Sequence, residues 1–312
     1  MTPGGALPGG GTALDPAEAV LRKLELRVTR RLDGLLHGDH LGLLPGPGTE
    51  AGESREYRPG DDVRRMDWPV TARTTVPHVR DTVADRELET WVLVDLSASL
   101  DFGTAMCEKR DLALAALAAV TYLTVRGGNR VGAVVATGER VVRLPARGGR
   151  LAARALLRQV ARTPRAAPGE PTDLAAAIAT LARPPRRRGM AVVISDFLAP
   201  PQTWERPLRG LRGRHDVLAI EVLDPRELEL PAVGMLSVVD PETGQILEVN
   251  TGRRRTRERY ATAAIEQRAA VSSAVRRSGA AHLRLRTDRD WLLDVVRFVA
   301  ARRRGLSAGA LR

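Results

Sequence analysis

The chain has 312 residues, enough for one large α/β domain of about 200 residues plus a smaller accessory region. With 43% hydrophobic but only 3% aromatic residues, its core must be filled by aliphatic side chains and alanine, and few rings remain to stack on nucleic-acid bases. The net charge of +12 is carried almost wholly by arginine, Lys23 and Lys109 being the only lysines; a GC-rich genome writes such a composition, so the charge alone does not make a nucleic-acid or anionic-membrane binder.

In chain order, residues 1–14 are rich in Gly and Pro without periodicity and read as a disordered tail. Asp15-Pro16 followed by Val20, Leu21, Leu24 and Leu26 predicts a capped amphipathic helix to about Leu36, and 38–53 is turn-prone. Residues 55–89 mix short extended pieces with turns, so 15–88 forms an accessory region ahead of a larger domain at 89–304. There, Trp91–Val94 is a short apolar run of the kind buried in parallel sheets. A helix is expected from Lys109 to about Val125, then a hairpin of Val131–Thr137 and Arg140–Leu144 around Gly138-Glu139. Helices at 148–162 and 173–183 follow. Strands at 190–195, 216–222 and 281–286 then alternate with helices near 201–212, 255–278 and 288–302. That alternation predicts a doubly wound, mostly parallel α/β sheet with helices on both faces. An inserted hairpin near 234–250 carries the turn Asp240-Pro241-Glu242-Thr243-Gly244, and 305–312 reads as a tail.

The single Cys107 excludes an intrachain disulfide and suits a reducing compartment. With no signal peptide and no run of about 18 apolar residues, a cytoplasmic location is expected.

Asp95 closes the first strand of the larger domain and begins Asp95-Leu96-Ser97-Ala98-Ser99. Thr172 precedes the helix that opens at Asp173-Leu174, and Asp196 follows the strand ending at Ser195. Three hydroxyls and two carboxylates thus come from three loops expected at the carboxyl ends of parallel strands, where open α/β sheets bind ligands. Mg²⁺ takes about six oxygens, sheds its waters reluctantly, and is seldom caged wholly by protein. Asp95, Ser97, Ser99, Thr172 and Asp196 are therefore candidate ligands for Mg²⁺ or Mn²⁺, leaving a position for water or for an acidic group from another molecule. A lone Asp-x-Ser-x-Ser is uninformative, because Ser and Asp after a strand often cap the next helix; the ordered set of three segments is far more specific.

These three segments resemble the metal-ion-dependent adhesion site (MIDAS) of von Willebrand factor A domains. More narrowly, Arg55-Glu56-Tyr57-Arg58-Pro59-Gly60-Asp61-Asp62-Val63-Arg64-Arg65-Met66-Asp67-Trp68, followed by Ala72-Arg73, resembles the bacterial family called domain of unknown function 58 (DUF58), over about residues 35 to 300. The resemblance implies a non-enzymatic binding module. It also implies a MoxR-type AAA+ ATPase as partner in a chaperone-like or assembly role, with the metal capturing an acidic side chain. The alternatives are a Mg²⁺-dependent hydrolase or phosphatase using the same loop, and a basic scaffold for nucleic acid or anionic lipid. The first is weakened because Ser97 stands where haloacid-dehalogenase-like phosphatases place a second carboxylate, and no His is placed by sequence beside Ser97 or Ser99. The second would use the clusters Arg186–Arg188, Arg253–Arg255 and Arg302–Arg304, which otherwise read as solvated ends. His37-Gly38-Asp39-His40 reads as an exposed loop, and the charges between Tyr57 and Arg73 as an ion-pair brace for the accessory layer.

Overall fold

Each central strand sends alternate side chains to two separate apolar layers, and this alternation organises the domain. The computed structural model describes residues 54–57, 66–80, 88–167, 169–182 and 189–309. The predicted helix at 15–36, His37–His40, residues 58–65 of the signature and Arg186–Arg188 lie outside the described residues.

The six-stranded sheet has the order β10-β7-β6-β3-β4-β5. Its strands are β3 (Glu89–Asp95), β4 (Arg130–Thr137), β5 (Arg140–Arg147), β6 (Gly189–Ser195), β7 (His215–Leu223) and β10 (Ala281–Arg286). All neighbours pair in parallel except β4 and β5, which form the antiparallel hairpin expected around Gly138. That turn needs φ of +52° at Gly138, where glycine has no Cβ penalty.

Val92 and Val94 of β3, with Met190, Val192 and Ile194 of β6, face one layer, covered by α2 (Lys109–Arg126), α3 (Arg150–Ala161) and α7 (Trp291–Gly309). Trp91 and Leu93, with Ala191 and Val193, face the other, covered by α4 (Leu174–Ala182), α5 (Pro201–Leu211) and α6 (Arg254–Ser278). Helix α2 is buried along nearly its whole length, and its alanine-rich sequence lacks the polar face of a surface helix. Continuous apolar strands are what a parallel sheet covered on both faces requires.

This winding fixes where a ligand can sit. The chain leaves β3 through α2 on one face to reach β4, and leaves β6 through α5 on the other to reach β7. Because β3 and β6 are neighbours, their outgoing loops diverge and open a crevice at the topological switch point.

The accessory layer is partly described. Strand β1 (Ser54–Glu56) pairs antiparallel with β2 (His78–Arg80), and the seven-residue α1 (Trp68–Thr74) lies between them. The sequence suggested only extended pieces and turns here. Asp67, which it placed in an ion-pair brace, caps α1 by accepting the Val70 N–H at 3.3 Å. Helix α7 runs to Gly309, past residue 304 where the domain was expected to end. Strands β8 (Met235–Val239) and β9 (Ile246–Asn250) form the inserted hairpin. Among the described residues, no helix is long and apolar enough to cross a membrane.

Candidate metal centre

The five residues singled out by sequence converge on one cavity of about 270 Å³ at the switch point; Asp95, Ser97, Ser99, Thr172 and Asp196 all line it, with Ser195, Asp240 and Glu242 among the others. Asp95 is the last residue of β3. Its Oδ1 accepts the Ser97 N–H at 3.0 Å and its Oδ2 accepts the Ser195 hydroxyl at 2.7 Å. The Ser97 and Ser99 hydroxyls lie 3.0 Å apart and are buried.

Asp196 follows β6. Its Oδ2 accepts the Lys109 ammonium at 2.8 Å and its Oδ1 accepts the Leu198 N–H at 3.3 Å. The next residue, Phe197, has φ of +51°, a conformation that costs a non-glycine residue about 1–2 kcal/mol. Its fully buried ring holds it there, packing edge-on against Trp204 with centroids 5.0 Å apart. Such strain persists only where surrounding structure over-determines it, and it recurs at ligand sites.

Thr172 carries the most telling atom. Its Oγ1 is buried without a hydrogen-bond partner. The helix-cap alternative fails at this position, because the cap of α4 is Asp173, whose Oδ1 accepts the Ala176 N–H at 2.9 Å. It fails at Ser97 as well: Ser97 precedes the short 3₁₀ turn Ala98–Leu100, but its side chain makes no capping bond. Of the five residues, only Thr172 has a hydroxyl without a partner; the Ser97 and Ser99 hydroxyls bond each other, and each oxygen of Asp95 and Asp196 accepts one hydrogen bond. That distribution suits a hard cation bound directly by hydroxyls, with Asp95 and Asp196 contributing charge directly or through water.

The cavity concentrates negative charge. Burial, and then the negative charge of Asp196, raise the Asp95 pKa to about 6 against the opposing bonds from Ser195 and Ser97. Among the described residues, no cationic side chain pairs with Asp95. Lys109 serves Asp196 and also donates to Glu227. Burial alone would lower the Lys109 pKa, but the charges of Asp196 and Glu227 raise it instead. Arg268 adds a bond from Nη1 to the Asp196 carbonyl at 2.8 Å and another to Glu221 at 3.1 Å. From Glu227 a polar chain continues: its carboxylate accepts the Asp224 N–H at 3.1 Å, and Asp224 accepts the Thr287 hydroxyl at 2.8 Å, just ahead of α7. Among the described residues no three His, Cys, Asp or Glu side chains gather as a metal cluster, so a metal here must depend on hydroxyls.

Sequence reading missed Lys109, Glu227, Ser195 and Glu242. Lys109 had a usable signal: it is one of two lysines in an arginine-dominated chain, placed where a compact point charge must fit between two carboxylates. Glu242 had none, being a turn residue brought to the cavity by the hairpin's long reach. Burial, then Asp196, raise its pKa, opposed by the Thr172 backbone N–H and the Ser99 hydroxyl that face it.

Fold and site together define an α/β domain with a polar, hydroxyl-lined ligand cavity at its switch point. Residues 53–270 match the family described as "Protein of unknown function DUF58", and the chain belongs to that family. It is 61% identical over 291 residues to "Uncharacterized protein Rv1480" of Mycobacterium tuberculosis (strain ATCC 25618 / H37Rv), which covers 93% of this chain and 91% of that protein. Similar solved structures include an aerotolerance-related membrane protein from Bacteroides fragilis NCTC 9343, with a TM-score of 0.47, 15% identity and coverage of 69% of this chain and 97% of that one. The SpRpn10 VWA domain has a TM-score of 0.38 and 11% identity, with 67% and 94% covered.

Proposed function

We propose that the protein is a metal-dependent protein-interaction module. Ser97, Ser99 and Thr172 supply neutral oxygens to Mg²⁺ or Mn²⁺, and Asp95 and Asp196 supply the charge. A bound cation of this kind offers one further position to a carboxylate oxygen from an acidic side chain of a partner. The observation that carries the reading is the buried, unpartnered Thr172 hydroxyl, which faces the same cavity as the Ser97–Ser99 pair and the two carboxylates. An orphaned buried hydroxyl is costly unless something absent from the bare chain completes it.

The partner implied by the family resemblance is a MoxR-type AAA+ ATPase, placing the module in a chaperone-like or assembly role. The non-enzymatic role likewise follows the family resemblance; among the described residues, no imidazole lines the cavity to serve as base to Ser97 or Ser99, which bears only on a serine nucleophile.

The test is calorimetric titration of Mg²⁺ and Mn²⁺ into wild type and Asp95→Ala at fixed ionic strength, with and without the MoxR-like ATPase. Metal binding lost in the variant, together with complex formation that needs metal, is the expected result. Complex formation indifferent to chelator and steeply salt-dependent would transfer the function to the arginine-rich surface. Chelator-sensitive turnover of a phosphate ester would make the site catalytic.

A further inference from the structure

We propose that the tip of the β8–β9 hairpin is the site's own acidic ligand, with the Glu242 carboxylate taking the position that a partner's acid must win. The inference rests on the metal-site reading above and deepens it.

The tip is built for placement. Asp240 organises the turn, accepting the Glu242 N–H at 2.9 Å on one carboxylate oxygen and the Thr243 hydroxyl at 2.7 Å on the other. The turn closes through Asp240 N–H to the Gln245 carbonyl at 2.9 Å and Gly244 N–H to the Asp240 carbonyl at 2.8 Å. The Pro241 carbonyl accepts the Gly169 N–H at 3.2 Å, fastening the tip to the loop that carries Thr172. Between these anchors Glu242 turns into the cavity, against the Ser99 hydroxyl and the Thr172 backbone N–H. Those are groups at which an incoming carboxylate would arrive.

Charge makes the placement informative. Glu242 shares the cavity with Asp95 and Asp196, and among the described residues no ammonium or guanidinium pairs with it. Lys109 is engaged by Asp196 and Glu227. A further carboxylate beside Asp95, Asp196 and Asp240 is repelled unless a proton or a cation joins it, and a divalent ion at the three hydroxyls would offset that repulsion.

The rest of the hairpin gives little reason for it to stay down. Val239, Ile246 and Leu247 are exposed, and a two-stranded ribbon has marginal stability alone. The bonds at the tip are its docking points beside the cavity. As a tethered ligand, Glu242 acts at an effective concentration in the millimolar range, so it excludes weak free carboxylates yet yields to a partner with a larger interface. An apolar groove of about 750 Å³ alongside, lined by Phe102, Leu198, Leu236, Val238 and Tyr260, lies where such a partner would contact the hairpin arm.

The test uses Mn²⁺ alone as probe, with the full chain as wild type, Glu242→Gln, Glu242→Ala and Thr172→Ala. Affinity is read by electron paramagnetic resonance, exchangeable water on the bound ion by proton relaxation, and hairpin protection by amide hydrogen exchange over 235–250 with and without Mg²⁺. Both Glu242 variants are expected to bind Mn²⁺ at least about tenfold more weakly. They should also show higher relaxation per bound ion, and lack the metal-induced slowing of hairpin exchange expected in wild type. Equal affinity, relaxation and protection in the Glu242 variants, with binding lost in Thr172→Ala, would overturn this proposal and leave the metal site standing. A wild type that binds no Mn²⁺ would overturn the metal site and this proposal with it.

Discussion

Replacing Lys109 by Met should move stability and metal affinity in opposite directions. The Lys109 side chain is 1% exposed and its partners Asp196 and Glu227 are 3% and 14% exposed, so water screens this triad very little. Methionine has nearly the same length and volume, so the change removes charge without opening a large cavity. It leaves two buried carboxylates without their cation, and breaking a buried pair in this way costs about 3–5 kcal/mol. For a domain of this size each kcal/mol shifts Tm by about 2–4 °C, so Tm should fall by roughly 6–20 °C. The same loss removes a positive charge in contact with Asp196, so any folded variant should bind Mg²⁺ more tightly than wild type. Thermal melts in chelator followed by calorimetric titration of Mg²⁺ give both quantities. A Lys109→Met variant within about 1 kcal/mol of wild type would refute the charge argument, as would a stable variant with weaker metal binding.

Thr172→Val should hold or slightly raise stability in chelator, because the lost hydroxyl has no protein partner, yet abolish Mg²⁺ binding; a large drop in Tm would mean that the hydroxyl is satisfied within the chain. Glu221 is fully buried, and His282, Arg284 and Arg268 hold its pKa below the usual carboxylate value against the cost of burial. A depressed folded pKa gives stability that is present above the unfolded value of about 4.5 and lost as pH falls through the folded value, so Glu221→Gln should flatten the acid limb of a Tm-against-pH curve; an unchanged limb would count against it. Phe197→Gly relieves the positive φ but loses the ring's packing on Trp204, and should destabilise by about 2–4 kcal/mol in urea denaturation; a stabilised variant would mean that strain outweighs packing there. Thr287→Val should change Mg²⁺ affinity less when combined with Lys109→Met than alone, since both act on the polar chain through Glu227 and Asp224; strict additivity would show that the chain carries no coupling.

The sheet was legible because its strands are short apolar runs bounded by turn signals, and those runs are dictated by burial on both faces. Met190–Ser195 and Asp216–Val222 were expected within a residue of β6 and β7 for that reason. Helix α1 was not, because seven residues with Pro at the second position and no buried side chain give no periodicity to read. The three loops of the candidate site were legible because each carries its chemistry next to a strand end or helix start. Lys109 and Glu242 were not: one sits at the head of an apolar helix and the other in a surface turn, and only tertiary packing brings them to Asp196 and Ser99.

The same contacts relocate the route by which the cavity could influence the rest of the molecule. One route from the Thr172 loop to α7 would run through the sheet. Yet the sheet's register is locked by parallel pairing over whole strands, and close-packed aliphatic layers on both faces resist sliding. The loops at the carboxyl ends are joined instead by polar bonds that can exchange partners: Asp196 to Lys109, Lys109 to Glu227, Glu227 to Asp224, and Asp224 to Thr287 ahead of α7. A change in charge at the cavity alters how strongly Asp196 competes with Glu227 for one ammonium. Contiguity of this kind becomes coupling only if two arrangements of Lys109 differ in energy between the metal-bound and metal-free chain. The buried triad is where such a difference would arise, because one ammonium is shared by two carboxylates and a divalent cation at the cavity would take over part of the charge on Asp196.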